Sequence, residues 1–329
     1  MNPYTGQDFF GFFETLLLRL SGLLTGELTM ATDELQMAVL SGVSLSTALV
    51  GTFLVLRRMT MLANSLSHSI LLGIVVTFLA SHGAGMIMES THTHSSLNFQ
   101  LLFLAAIGTG FVTSFLTEFL TKTVKLQEDA SIGLVFNSFL SLGVILITLY
   151  TRNVHIGAEA VMGNADALHM DDFHLVCLIA AINVVLFFFL YRGYTITTFD
   201  PQLATALGYR PGLYNYLLMF QVSLTCVAAF RAVGVLLVLA FLTGPPLIAR
   251  RFTHRLRIIL LLATGISIAS SFLAVAITRH LLSVYCLPLS TSGVVVCVIL
   301  ALFILSLLFA PKTGEVARWR VQRNSHGMR

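Results

Sequence analysis

One imidazole stands inside a long run that carries no charged residue. His68 follows Thr60, Asn64, Ser65 and Ser67 in a run that continues to Ser81 without an Asp, Glu, Lys or Arg. At a rise of about 1.5 Å per residue, His68 lies roughly 12 Å into a helix beginning at Thr60, near the middle of a bilayer's hydrocarbon. Asn64 is one turn earlier on the same face. Polar groups at that depth are costly and mark pathways by default. An amide oxygen and an imidazole one turn apart can coordinate a cation or line a wet channel. They can equally form an interhelical hydrogen bond, worth about 0.6 kcal/mol. Spacing leaves both readings open.

Seven of the other nine histidines add a second hint, His254 and His326 falling on the cytoplasmic side. His82, His92, His94, His155, His169, His174 and His280 fall on the external side of the topology derived below, among Glu89, Glu159, Asp166, Asp171 and Asp172. Imidazole and carboxylate together suit a first-row transition metal, although ordinary polar loops have the same composition. Neither His92-x-His94 nor the four-residue step from His155 to Glu159 is a specific signal. Two other chemistries lack their motifs. There is no HExxH for an intramembrane metallohydrolase and no GxxxxGK[ST] loop to cradle ATP phosphates.

A third feature is mechanical. In Phe199-Asp200-Pro201-Gln202-Leu203-Ala204-Thr205-Ala206-Leu207-Gly208, Asp200 is a good N-cap, Pro201 suits the first helical position and Gly208 suits the end. The pattern predicts a two-turn helix with Leu203 and Leu207 on one face and Ala206 beside them. Such a helix is a docking device for a soluble partner or a capped interfacial connector.

The elements that hold these residues are membrane spans. Of 329 residues, 56% are hydrophobic and 10% charged, against about 25% charged in soluble domains. Runs of about 20 apolar residues, enough to cross the hydrocarbon, cover Met37–Leu56, Thr60–Ser81, Leu97–Leu120, Ile132–Tyr150, His174–Tyr191, Leu256–Ile277 and Pro288–Ala310. Leu213–Ala249 is long enough for two tight crossings turning near Arg231 or for one crossing plus a re-entrant element, and two short crossings are expected. The fold class is therefore all-α, a polytopic membrane bundle of about eight to nine transmembrane helices with a short cytoplasmic helix.

Residues 1–33 form an amphipathic, interfacial segment (about Phe9–Leu24), 34–310 the transmembrane domain and 311–329 a basic cytoplasmic tail. Arg57, Arg58, Lys122, Lys125, Arg192, Arg210, Arg250, Arg251, Arg255, Arg257, Lys312, Arg318, Arg320, Arg323 and Arg329 share one side, 15 of the 19 basic residues. That side is cytoplasmic by the positive-inside rule. Arg19, Arg152, Arg231 and Arg279 lie opposite. The bases form no stripe with aromatics, so lipid is the expected partner and nucleic acid is not. Cys177, Cys226, Cys286 and Cys297 are scattered and make no disulfide framework.

Other polar residues read as structure. Glu118 and Lys122 are spaced for an i,i+4 ion pair at a cytoplasmic helix end. Asn137, Ser138, Ser141 and Asn183 read as helix-packing contacts, and Gly265 with Ala269 as a close-packing pair. Arg231 is expected to snorkel or to meet an external carboxylate.

From about Glu34 to Gly314 the chain resembles the permease subunit of the ABC-3 family of manganese, zinc or iron importers. Leu56-Arg57-Arg58-Met59 through Leu66-Ser67-His68 is similar to the family's RRMxLxGDALSHAxLPG stretch. Glu128-Asp129-Ala130-Ser131-Ile132-Gly133-Leu134-Val135-Phe136 is similar to its ED-A-IG-VF segment. Asp200-Pro201 with Ala204, Ala206, Leu207 and Gly208 resembles the coupling-helix motif, and Arg231-Ala232-Val233-Gly234-Val235-Leu236-Leu237-Val238 the RAVGVLLV motif.

The resemblance implies a multi-pass protein of the bacterial cytoplasmic (inner) membrane, not an enzyme, with a divalent metal path through the centre of a permease dimer. It implies a cytoplasmic ABC ATPase on each coupling helix (Asp200, Pro201, Leu203, Ala204, Leu207, Gly208) and an external metal-binding protein. The metal is cargo rather than a bound cofactor, and ATP belongs to the partner subunit. The family's histidine corresponds to His68. Its preceding Asp is Asn64 here and its later Pro is Leu72; of the two partners the dimer allows, a second permease copy or a non-identical permease, the non-identical one is expected to supply the carboxylate. An ion-coupled carrier using His68 as a proton relay is the alternative.

Overall fold

The computed structural model describes residues 3, 4, 6, 9–24, 30–61, 65, 72, 73, 76, 99–150, 165, 166 and 168–309. Among them are ten helices: α1 (Phe9–Leu24), α2 (Thr32–Leu56), α3 (Phe99–Lys122), α4 (Glu128–Tyr150), α5 (Met170–Phe199), α6 (Pro201–Ala206), α7 (Pro211–Val233), α8 (Val235–Phe252), α9 (Leu256–Tyr285) and α10 (Thr291–Phe309). Thr60, Met61, Ser65, Leu72, Gly73 and Val76 are helical as well, and no described residue is in a strand. Among the described residues six helices are long and apolar enough to cross a membrane: α2, α5, α7, α8, α9 and α10. At 24 and 23 residues, α3 and α4 have the required length.

Helices prevail because backbone amides in hydrocarbon must be satisfied within their own segment. Most hydroxyls in these helices are spent the same way. Thr47 donates to the Val43 carbonyl at 2.7 Å, Thr52 to Ala48 at 2.7 Å and Thr117 to Thr113 at 2.8 Å. Two helices outrun their apolar cores. α5 extends from the expected His174–Tyr191 to 30 residues, and α9 continues past Ile277 to Tyr285. An apolar run ends at its first charge, whereas a helix continues while its amides find carbonyls. Thirty residues span about 45 Å, so these helices project beyond the hydrocarbon.

The chain divides into two compact units. The first comprises residues 1–55, 164–180 and 236–329. In it α9 packs on α10, and α1 on α9. A Cβ on Gly51 would lie 2.2 Å from the Leu242 carbonyl oxygen, so α2 and α8 approach backbone to backbone only because residue 51 has no side chain. The Gly265–Ala269 expectation fails here, because a Cβ on Gly265 would meet open space. Four-residue spacing identifies a face, not what lies against it.

The second unit comprises residues 56–163 and 181–235, where α3 packs on α4 and on α7. Glu118 and Lys122 form the expected ion pair, and Lys122 lies over the Tyr216 ring. Asn183 joins helices as expected, its Nδ2 donating to Thr225 Oγ1 at 2.7 Å. Asn137, Ser138 and Ser141 do not. They lie exposed on α4, because periodicity alone does not say which polar stripe turns toward a neighbour within the chain.

Candidate functional site

The six residues of α6 are held at both ends. Asp200 is outside helical geometry (φ −145°, ψ 90°), and its Oδ1 accepts the Gln202 amide at 3.1 Å and the Leu203 amide at 2.9 Å. Two of the orphan amides at the helix start are thereby satisfied. Pro201 brings no amide to satisfy. At the far end Gly208 adopts φ +83°, open to glycine at no steric cost. There the Tyr209 amide reaches the Ala204 carbonyl at 2.9 Å and the Gly208 amide reaches Thr205 at 3.1 Å. These are the paired bonds of a Schellman ending. Ala204 is fully buried beneath the helix, whereas Leu203 is 49% and Leu207 57% exposed. Asp200, Pro201, Leu203, Ala204, Leu207 and Gly208 thus come together as one capped helix with two apolar knobs.

α6 stands on two legs, the end of α5 and the start of α7. The Asp200 amide still bonds the Ile196 carbonyl at 2.9 Å, so α5 runs into the cap without a slack loop. Tyr214 of α7 lies where a Cβ on Gly193 would be, 2.0 Å from its ring, so a glycine in α5 admits the ring between the legs. Tyr214 meets Tyr194 edge-on at 5.9 Å and Tyr209 at 5.8 Å, and Tyr194 meets Phe187 at 5.5 Å. The Tyr194 hydroxyl donates to Gln221 Oε1 at 2.6 Å. Below the rings, Arg57 sends Nε to Thr198 Oγ1 at 3.0 Å, Nη2 to Thr197 Oγ1 at 3.0 Å and Nη1 to Asn215 Oδ1 at 2.9 Å. In the sequence Arg57 stands out as a topology charge and as part of the Leu56–Met59 stretch, neither of which names a partner for it. Its signal was a pair of adjacent threonines and an asparagine on either side of a capped helix.

Asn64 and His68, the proposed path residues, lie outside the described residues, as do His82, His92, His94, His155, Glu89, Glu159, the Arg231 side chain and the 311–329 tail.

The first unit holds a cavity of about 330 Å³ lined in part by Asp33, Gln36, Asp166, Arg279 and Thr291. Its polar groups are spent on one another. Asp33 pairs with Arg279. Asp166 accepts from Gln36 Nε2 at 3.0 Å and from the Thr291 amide at 3.3 Å, where it caps α10. Nearby, Arg19 Nε donates to Glu34 at 2.6 Å, and the buried Tyr4 hydroxyl to the same carboxylate at 2.8 Å. Burial, then the bond to Glu34, pushes the Tyr4 phenol above its usual range. Among the described residues no three His, Cys, Asp or Glu side chains gather to hold a metal.

The model of the ABC 3 transport family matches residues 31–310. The chain belongs to the ABC 3 transport family. The permease is 35% identical over 289 residues to the manganese transport system membrane protein MntD of Bacillus subtilis, covering 84% of this chain and 91% of that one. It is 36% identical over 298 residues to the zinc transport system membrane protein TroD of Treponema pallidum, covering 85% and 75%. Its fold resembles a chain of PsaBC from Streptococcus pneumoniae in complex with Fab, at a TM-score of 0.69 and 23% identity, covering 89% of this chain and 97% of that one. The permease is a multi-pass membrane subunit of an ABC transporter and not itself an enzyme.

Proposed function

We propose that this permease belongs to an ATP-driven importer of a divalent transition metal (manganese, zinc or iron) in the bacterial cytoplasmic membrane. An external metal-binding protein delivers the ion, and a separate ABC ATPase docks on α6 and drives the cycle. The metal is cargo, no resident cofactor is needed on this chain, and ATP is bound by the partner. The observation that carries the reading is α6, capped at both ends with Leu203 and Leu207 turned outward, in a chain with no phosphate loop of its own. The choice of cargo is supported by relatives named for manganese and zinc and by the nitrogen and oxygen donors of His68 and Asn64, which suit all three metals.

A second, non-identical permease completes the path. Asn64 keeps an oxygen donor and lacks a charge, so a non-identical partner permease supplies the carboxylate. The exposed Asn137, Ser138 and Ser141 of α4 favour a protein or aqueous neighbour over lipid, because bare amides and hydroxyls are costly in hydrocarbon.

The test is radiolabelled manganese or zinc uptake into proteoliposomes holding the permease with its ATPase and binding protein. Uptake must require ATP hydrolysis. Uptake that persists without the ATPase and collapses with the proton gradient would replace this reading with an ion-coupled carrier using His68 as relay.

A further inference from the structure

We propose that Arg57 is the positioning residue of the coupling helix, holding its incoming and outgoing legs at fixed separation so that displacement of α6 moves both as one body. The inference rests on reading α6 as the ATPase docking helix.

Six residues do not form a stable helix alone, so a push on α6 does mechanical work only if both ends are anchored. Caps hold the helix together without fixing it to anything else. Ring contacts resist separation yet let faces slide, because dispersion has little directionality. The Tyr194–Gln221 and Asn183–Thr225 hydrogen bonds tie the legs farther along their length, and next to α6 the Arg57 guanidinium supplies the direction. Three of its five N–H donors, fixed in one plane, reach Thr197 and Thr198 in the last turn of α5 and Asn215 in the second turn of α7. The Thr197 hydroxyl gives its own proton to the Gly193 carbonyl at 2.7 Å. Its oxygen is therefore oriented to accept from the guanidinium. The chain then turns, and Arg58 takes φ +62°, a left-handed conformation that costs a non-glycine residue about 1–2 kcal/mol.

A lysine cannot replace this geometry, since its ammonium is a point charge on a flexible stem. The experiment uses the complete complex in proteoliposomes and measures metal transported per ATP hydrolysed, together with ATPase capture. Arg57→Lys and Asn215→Leu should each capture the ATPase as wild type does and lower the ratio at least about tenfold, the scale of one hydrogen bond to a charged donor. Asn215→Asp keeps the acceptor and should hold the ratio near wild type. Ratios within twofold of wild type for both Arg57→Lys and Asn215→Leu overturn the proposal. So does loss of ATPase capture in step with transport, because Arg57 would then only build the docking surface. If the wild-type complex itself moves no metal with ATP, the underlying functional reading fails instead.

Discussion

Truncating the two knobs of α6 should weaken ATPase capture without unfolding the permease. Leu203 and Leu207 are 49% and 57% exposed, so about half of each side chain remains to be covered by a partner. Burying a leucine fully contributes about 1.5–3 kcal/mol, so the remaining halves together contribute roughly the same amount on docking. Leu203→Ala with Leu207→Ala removes most of it, which corresponds to about a 10- to 150-fold rise in Kd. The helix itself should survive. The caps rest on Asp200, Gly208 and backbone groups, and alanine has the highest helix propensity.

The assay is titration of the purified ATPase onto permease in lipid nanodiscs, with Leu261→Ala as control. Leu261 is 75% exposed, on α9, far in sequence from α6, and its truncation should leave Kd unchanged. An unchanged Kd for the double variant would refute α6 as the docking element. An equal loss for Leu261→Ala would refute the specificity of the effect.

Three further outcomes are expected. Asp200→Ala removes the acceptor for two amides and should destabilise α6 by about 1 kcal/mol, seen as a several-fold weaker ATPase Kd, while Asp200→Asn should retain capture. Gly51→Ala should lower the thermal midpoint of the solubilised permease, because a Cβ there meets the Leu242 backbone and overpacking costs about 1–3 kcal/mol. Gly265→Ala, entering open space, should leave that midpoint equal or higher, and the reverse ranking would refute the close approach of α2 and α8. His68→Ala should abolish metal uptake while leaving the assembled complex intact, and unchanged uptake would remove His68 from the path.

Much of the bundle was legible because hydrocarbon imposes one rule on every span. Apolar runs located the helices, and cap chemistry at Asp200, Pro201 and Gly208 located α6, since those residues act through their own local backbone. Glu118 with Lys122 was legible for the same reason, both partners lying on one helix. The ties between distant segments were not. Asp33 finds Arg279 across 246 positions and Gln36 finds Asp166 across 130, separations on which periodicity is silent. A hint was nevertheless present: Asp33 and Glu34 precede an apolar run, where a carboxylate needs a cation, and Arg19 and Arg279 were already assigned to the same external side. Gly51 and Gly265 show the opposite limit. Both glycines suit close packing, and only the folded chain says which one has a backbone against it.

Arg57 joins the two kinds of information. Its charge places the end of a span at the membrane surface on the cytoplasmic side. A side chain fixed at that depth by topology is also at the depth where helix legs emerge from the bilayer. Its N–H groups can therefore reach the last turn of α5 and the start of α7. The residue that helps orient the permease is thus placed to brace the segment on which a cytoplasmic motor would push. The two roles separate experimentally: Arg57→Lys preserves the charge and hence the topology, so a coupling defect in that variant cannot come from a reversed span.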